Sequence, residues 1–210
     1  VDDAMRHFIA AEAFVQAADL LEQRNERLWM QGRFVLLQHW LTFLPDAIIT
    51  NRPRLVLAQA WTHVLSDAAA NTITTLFQQA EAAILNAAAT DTGDRQTSTT
   101  ELQGVLAAIR AVYHSKQEEV TGVIANAQQA LACLPAASGS WRSIALMSLG
   151  FAYEMNGDVR AAEQTFLEAI RLCHLIGNHY SALVTARSLG RTYIGQGKLR
   201  QAAATYTQAL

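Results

Sequence analysis

The chain has 210 residues, 51% hydrophobic and only 16% charged, with 16 Lys and Arg against 18 Asp and Glu for a net charge of −2. It is too apolar for a disordered chain and has no basic excess to hold nucleic-acid phosphates. It shows no polybasic or amphipathic membrane anchor, no secretory signal, and no apolar run of the roughly 18 residues that a spanning helix needs.

The first predicted helix covers residues 8–22, with Leu20 and Leu21 late on it. A second covers 33–44 and ends before Pro45, because the residue preceding a proline is pushed out of the helical region. Residues 54–65 and 72–88 read as a helix hairpin, and the most polar stretch, 90–100 (TDTGDRQTSTT), reads as a long loop. Helices over 101–114 and 118–134 follow, then a loop over 135–140. The last four predicted helices are 141–156, 158–176, 178–195 and 198–210. The three prolines, Pro45, Pro53 and Pro135, each fall at a predicted helix boundary. The alanine runs at 68–70, 87–89 and 202–204 favour helix and close helix approach. The total is roughly ten helices in five hairpins.

The last third repeats itself. Residues 143–170 and 183–210 align at a shift of forty without a gap, and nine of 28 positions are identical. Leu149, Gly150 and Tyr153 recur as Leu189, Gly190 and Tyr193, and Ala162, Phe166 and Ala169 recur as Ala202, Tyr206 and Ala209. A glycine inside a helix costs about 1 kcal/mol relative to alanine, so its use there implies a neighbouring helix packed against the backbone. Gly157-Asp158 ends one helix and opens the next, with Asp158 as N-cap. Ala162, Phe166 and Ala169 share one face of the second helix, small, large, small, as close antiparallel packing requires.

Leu-Gly-x-x-Tyr followed by Ala, Phe and Ala resembles the tetratricopeptide signature, with a period longer than the usual unit. The wording of residues 146–210, together with GRFVLLQHWLTFLP and NRPRLVLAQAWTHVLSDA upstream, resembles the sensor region of MalT-like regulators. These are large ATP-dependent transcription activators of the LuxR family. Gly32, Trp40, Leu41, Leu44, Pro45, Arg52, Pro53, Leu55 and Trp61 carry the upstream match. The resemblance implies an all-α, tetratricopeptide-like stack of antiparallel helix hairpins forming a right-handed superhelix. The whole chain, 1–210, is expected to be a single helical-repeat domain: opening helices over 1–50, divergent hairpins over 51–134 and two clear repeats over 141–210. The start at Val1 without methionine and the stop at Leu210 inside a predicted helix read as a piece of a longer protein. Two departures stand out: the turn at 66–71 lacks a glycine, and the unit around Tyr113 reads Ile109-Arg110 where the later units read Leu-Gly.

Catalytic patterns are missing. The sequence holds no phosphate-binding loop, dinucleotide fingerprint, nucleophile elbow, zinc-protease motif or paired C-x-x-C, so no enzyme activity, cofactor or metal is expected. Cys173, His174 and His179 are the densest group of metal-ligand types, but neighbours on a helix point about 100° apart and cannot readily share an ion. Cys133 and Cys173 make no disulfide framework. Forty residues apart, they fit the repeat as packing residues, and a reducing cytoplasm is the simplest setting. Trp29, Trp40, Trp61 and Trp141 read as core anchors.

In stacks of this kind the first helix of each hairpin lines the inner face. By that resemblance the groove residues are Met147, Phe151 and Glu154, then Arg187, Arg191 and Ile194, with Arg110 and His114 from the preceding unit. Arg187 and Arg191, four apart on one helix, read first as a solvated face and second as a ligand or partner surface. The leading expectation is a sensor module that binds a small-molecule effector or a regulatory protein. ATP and DNA would be bound by domains absent from this piece. No membrane contact is expected, and self-association is allowed. A generic tetratricopeptide scaffold for protein–protein interaction is the alternative.

Overall fold

The computed structural model describes residues 2–89 and 96–209, and all regular structure among them is helical. The helices are α1 (Asp2–Ala10), α2 (Phe14–Met30), α3 (Phe34–Thr42), α4 (Asp46–Ile49), α5 (Pro53–Leu65), α6 (Ala70–Ala89), α7 (Gln96–Lys116), α8 (Val120–Cys133), α9 (Gly139–Met155), α10 (Val159–Ile176), α11 (His179–Gly195) and α12 (Leu199–Ala209). Contacts divide the chain into two compact units, Val1–Leu106 and Ala107–Leu210, where the sequence reads as one domain.

Among the described residues twelve helices stand where ten were expected. The helix expected over 8–22 is broken at Glu12, which adopts a left-handed φ of 54°, so α1 and α2 are separate. Of the polar stretch expected to be a loop, residues 96–100 are helical, and 90–95 lie outside the described residues. The helix begins upstream of the largely buried stretch Leu102–Val112, and Glu101 reaches Arg54 at 4.0 Å. The prolines stand at boundaries: Pro45 precedes α4, Pro53 opens α5 and Pro135 follows α8.

One turn geometry closes seven of the described helices. A residue with left-handed φ is followed by an N–H that bonds back five residues: Ala13 to Phe8, Arg33 to Leu28, Ala68 to His63, Glu119 to His114, Asp158 to Tyr153, Asn178 to Cys173 and Lys198 to Tyr193. The bond satisfies carbonyls that the helix end leaves open. Gly157 and Gly197 take the left-handed position with little strain, whereas Asp67 (φ 53°) and Glu118 (φ 58°) hold it despite their Cβ atoms. The glycine missing at 66–71 is thus replaced by Asp67.

These turns fix the repeat register. The two later units are forty residues apart, Gly157 to Gly197, but the preceding one is 39 away, Glu118 to Gly157. At 39, His114 stands in the place of Tyr153, Ala111 in that of Gly150, and Ala127 in that of Phe166. Ala111 and Ala127 are fully buried in one cluster with Leu149. The apparent Ile-Arg for Leu-Gly exchange at Arg110 is therefore corrected: close approach is kept by two alanines instead of a glycine and an aromatic ring. The forty-residue spacing of the cysteines is likewise no equivalence, since Cys173 matches Leu134 in this register.

In the first unit the core is built from Met5, Ala17, Ala18, Leu21, Leu37 and Leu55, with Trp29 edge-on to Trp61 at 5.7 Å. Arg52 ties the start of α5 to α2 through Asp19 (2.5 Å) and Glu22 (3.1 Å). In the second unit α9 packs against α8, α10 and α11 and is buried nearly all round. Gly150 faces the Phe166 ring, and Phe151 meets that ring edge-on at 5.4 Å. Ala162, Phe166, Leu189, Tyr193 and Ala202 form the cluster between the two clear repeats, with Tyr153 and Tyr206 packed against it. Ala169 is also buried, Gly190 faces the Tyr206 ring, and the side chain of Ala209 lies outside the described residues. Capping follows the sequence: Asp158 accepts the Ala161 N–H at 3.1 Å and Asn178 accepts that of Ser181 at 3.0 Å.

Candidate functional site

The two clear repeats present matching faces on α9 and α11. Met147, Phe151 and Glu154 follow one another at four and three residues on α9, and Arg187, Arg191 and Ile194 do so on α11. Helical periodicity therefore puts each trio on one side of its helix. Met147 is buried and Phe151 half-buried by its contact with Phe166, so on α9 only Glu154 offers a charge. Its carboxylate accepts the Thr192 hydroxyl at 2.9 Å and lies 3.8 Å from the Arg191 guanidinium. Glu154 thus joins the faces of α9 and α11.

On α11 the face is open. Arg187 and Arg191 are exposed, and Ile194 is 50% exposed. Two residues that sequence reasoning missed extend it toward the N-terminus: Tyr180 (42% exposed) and Leu183 (47%). The signal was the same spacing carried one turn further, since 180, 183, 187, 191 and 194 form a single stripe. Arg187 makes no ion pair among the described residues; its carbonyl accepts the Tyr206 hydroxyl at 3.4 Å.

Arg110 and His114 do not join this face. In the 39-residue register they occupy the places of Leu149 and Tyr153, and Ala108, Val112 and Ser115 take those of Met147, Phe151 and Glu154. His114 is half-buried, its Nδ1 is 2.5 Å from a Glu119 carboxylate oxygen, and its ring lies where a Cβ on Gly122 would stand. It closes the α7–α8 turn as Tyr153 and Tyr193 close theirs.

Tyr193 shows how firmly such a turn is held. Its hydroxyl donates to Glu163 at 3.1 Å, Lys198 reaches the same carboxylate at 3.2 Å, and the Lys198 ammonium lies over the ring, 5.6 Å from its centre. Burial, then the Glu163 carboxylate beside it, push the Tyr193 hydroxyl up to about 12. Cys173 is buried, which raises its thiol further than a hydrogen bond with Ser143 lowers it, so it behaves as a packing residue. No group of three or more His, Cys, Asp or Glu that could hold a metal ion occurs among the described residues. No helix among them is long and apolar enough to cross a membrane.

Hairpins in register, a glycine facing an aromatic ring across each clear one, and an open stripe on the first helix of the last define a tetratricopeptide-like helical repeat. The sequence pattern of the MalT-like TPR region matches residues 104–210, and the chain belongs to that family. Over 99% of its length it is also 26% identical to proteins named HTH-type transcriptional regulator MalT, from Yersinia pestis (strain Pestoides F) and Yersinia pseudotuberculosis serotype O:3 (strain YPIII). It spans 22% of the length of those relatives. No solved structure matches the chain.

Proposed function

We propose that this chain is the sensor region of a MalT-like transcription regulator and binds an effector or a regulatory protein on the α11 face, without catalysis of its own. The observation that carries this is the exposed stripe Tyr180, Leu183, Arg187, Arg191 and Ile194. Apolar side chains at both ends and two guanidiniums between them make an exposed mixed surface, in which Arg191 also reaches Glu154 at 3.8 Å. Such a surface suits a ligand with an apolar body and an acidic or polar centre. Regulation requires that the ligand bind unequally to the resting and active states of the whole regulator. ATP and DNA binding then fall to other parts of a longer protein, as in regulators this chain resembles. Family membership favours this reading over a scaffold with no regulatory context.

The test is thermal unfolding of the chain against sugars, metabolites and nucleotides. A specific ligand at a hundredfold excess over its dissociation constant adds about 2.7 kcal/mol of stability. The expected result is a selective hit that Arg187→Gln or Arg191→Gln abolishes. Stabilisation indifferent to both substitutions, or tight binding of operator DNA by this chain alone, overturns the reading.

A further inference from the structure

The first unit holds a separate feature at the α2–α3 turn. A half-open cavity of about 200 Å³ is lined by Arg24, Arg27, Leu28, Gln31 and Arg33. Its apolar side is the buried Leu28; the three arginines and Gln31 are exposed. The local fold assembles it. Arg24, Arg27, Leu28 and Gln31 lie within one third of the turn of α2, at helical spacing. The left-handed Gly32 (φ 73°) then folds the chain back, with the Arg33 N–H on the Leu28 carbonyl at 2.9 Å. Arg33 is thereby returned to the face that its position in sequence would have left behind.

The charge is what needs a partner. Residues 1–106 carry seven arginines and no lysine against twelve Asp and Glu, so this half of the chain is acidic. Elsewhere among the unit's described residues arginines stand beside carboxylates: Arg6 with Asp2, Arg52 with Asp19 and Glu22, Arg54 with Glu101. The three at the cavity have no such partner among the described residues, and no acid lines it. Glu22 and Glu26 are on the opposite side of α2 by helical spacing. Interaction with the α2 dipole accounts for Arg27, which is in its last turn. It does not account for Arg33, which stands at the N-cap of α3 and supplies no side-chain acceptor there. A cation at that positive helix end is unfavourable unless an anion sits beside it.

We propose that this cavity is a binding site for a compact, doubly charged oxyanion group, a phosphate or a pair of carboxylates, carried by a small ligand. Guanidinium groups match both chemistries with paired N–H donors. The volume is below that of pockets which enclose a drug-sized molecule, so it fits the charged end of a ligand, with Gln31 as a neutral donor and Leu28 against the apolar remainder. The site is independent of the α11 face: it uses no residue of that stripe and lies outside the 104–210 match.

The test is isothermal titration of the 210-residue chain with pyrophosphate and, separately, malonate, at low ionic strength and again with added salt. One-to-one saturable binding is expected, weakened at least about tenfold by Arg27→Gln or Arg24→Gln, as loss of a charged hydrogen bond implies. Arg160→Gln, an exposed arginine on α10, leaves it unchanged. Binding of pyrophosphate alone assigns a phosphate, and binding of malonate alone a dicarboxylate. Saturation by neither probe overturns the proposal, as does equal weakening by Arg27→Gln and Arg160→Gln, which marks diffuse surface attraction. Circular dichroism of each variant confirms that the fold is kept.

Discussion

Replacing Gly150 by alanine sets two effects against each other. Alanine within a helix gains about 1 kcal/mol over glycine. The added methyl, however, stands 2.6 Å from both Cδ1 and Cε1 of Phe166, well inside van der Waals contact, so one partner has to move. Phe166 has no room: it is fully buried, with Phe151 edge-on against it and Ala162, Leu189 and Tyr193 in the same cluster. Overpacking at such a site costs about 1–3 kcal/mol, so the balance for Gly150→Ala is a net loss of about 1 kcal/mol, and Gly150→Leu loses more. Gly190 faces a still closer ring, Tyr206, but that ring is only half-buried on α12 and has room to swing outward. Gly190→Ala is therefore near neutral or slightly stabilising. Urea unfolding followed by circular dichroism, with Trp141 reporting on the second unit, reads a shift of about 0.5 M or more for Gly150→Ala. In a cycle with Phe166→Leu the loss from Gly150→Ala shrinks, because the ring it strikes is gone. An unchanged or higher midpoint for Gly150→Ala, or an equal loss at Gly190, refutes the reasoning.

Glu118→Gly relieves a left-handed φ of 58° at an exposed turn and is expected to stabilise by about 0.5–1 kcal/mol after glycine's own entropy cost; a lower urea midpoint contradicts this. Tyr193 titrates at about 12 in the fold against about 10 when unfolded. The stability it contributes is therefore complete below pH 10 and is lost as pH rises from there through 12. Unfolding midpoints across that range fall more steeply for the wild type than for Tyr193→Phe; parallel curves remove Tyr193 from the account.

What was legible in the sequence was local. The glycine, the aromatic and the small residues of the last two units specify a hairpin by themselves, since helical spacing places Ala162, Phe166 and Ala169 on one face whatever surrounds them. Caps such as Asp158 and stops such as Pro45 act within a few residues and could be read directly. From these the all-α repeat follows, and so does the family. The preceding unit was misplaced by one residue because its turn carries Glu118 in place of glycine. A glutamate in left-handed geometry goes against its intrinsic preference and is held by the bond from Glu119 to His114 and by packing, neither of which a residue name announces. The alanine pair at Ala111 and Ala127 was hidden for the same reason: a small residue gains its meaning from the one opposite, and that pairing exists only after the helices dock. Among the candidate groove residues, spacing by itself puts Glu154, Arg187, Arg191 and Ile194 on shared helix faces because they belong to the regular units. It assigned Arg110 and His114 to the groove because register, a tertiary property, was missing. The arginines at the α2–α3 turn are spread over ten residues of sequence, and only the reversal at Gly32 brings Arg33 back to Arg24 and Arg27. Sequence determines helices and their faces through short-range periodicity; which faces meet, and which charges are left without a partner, is decided by the turns and the packing they permit.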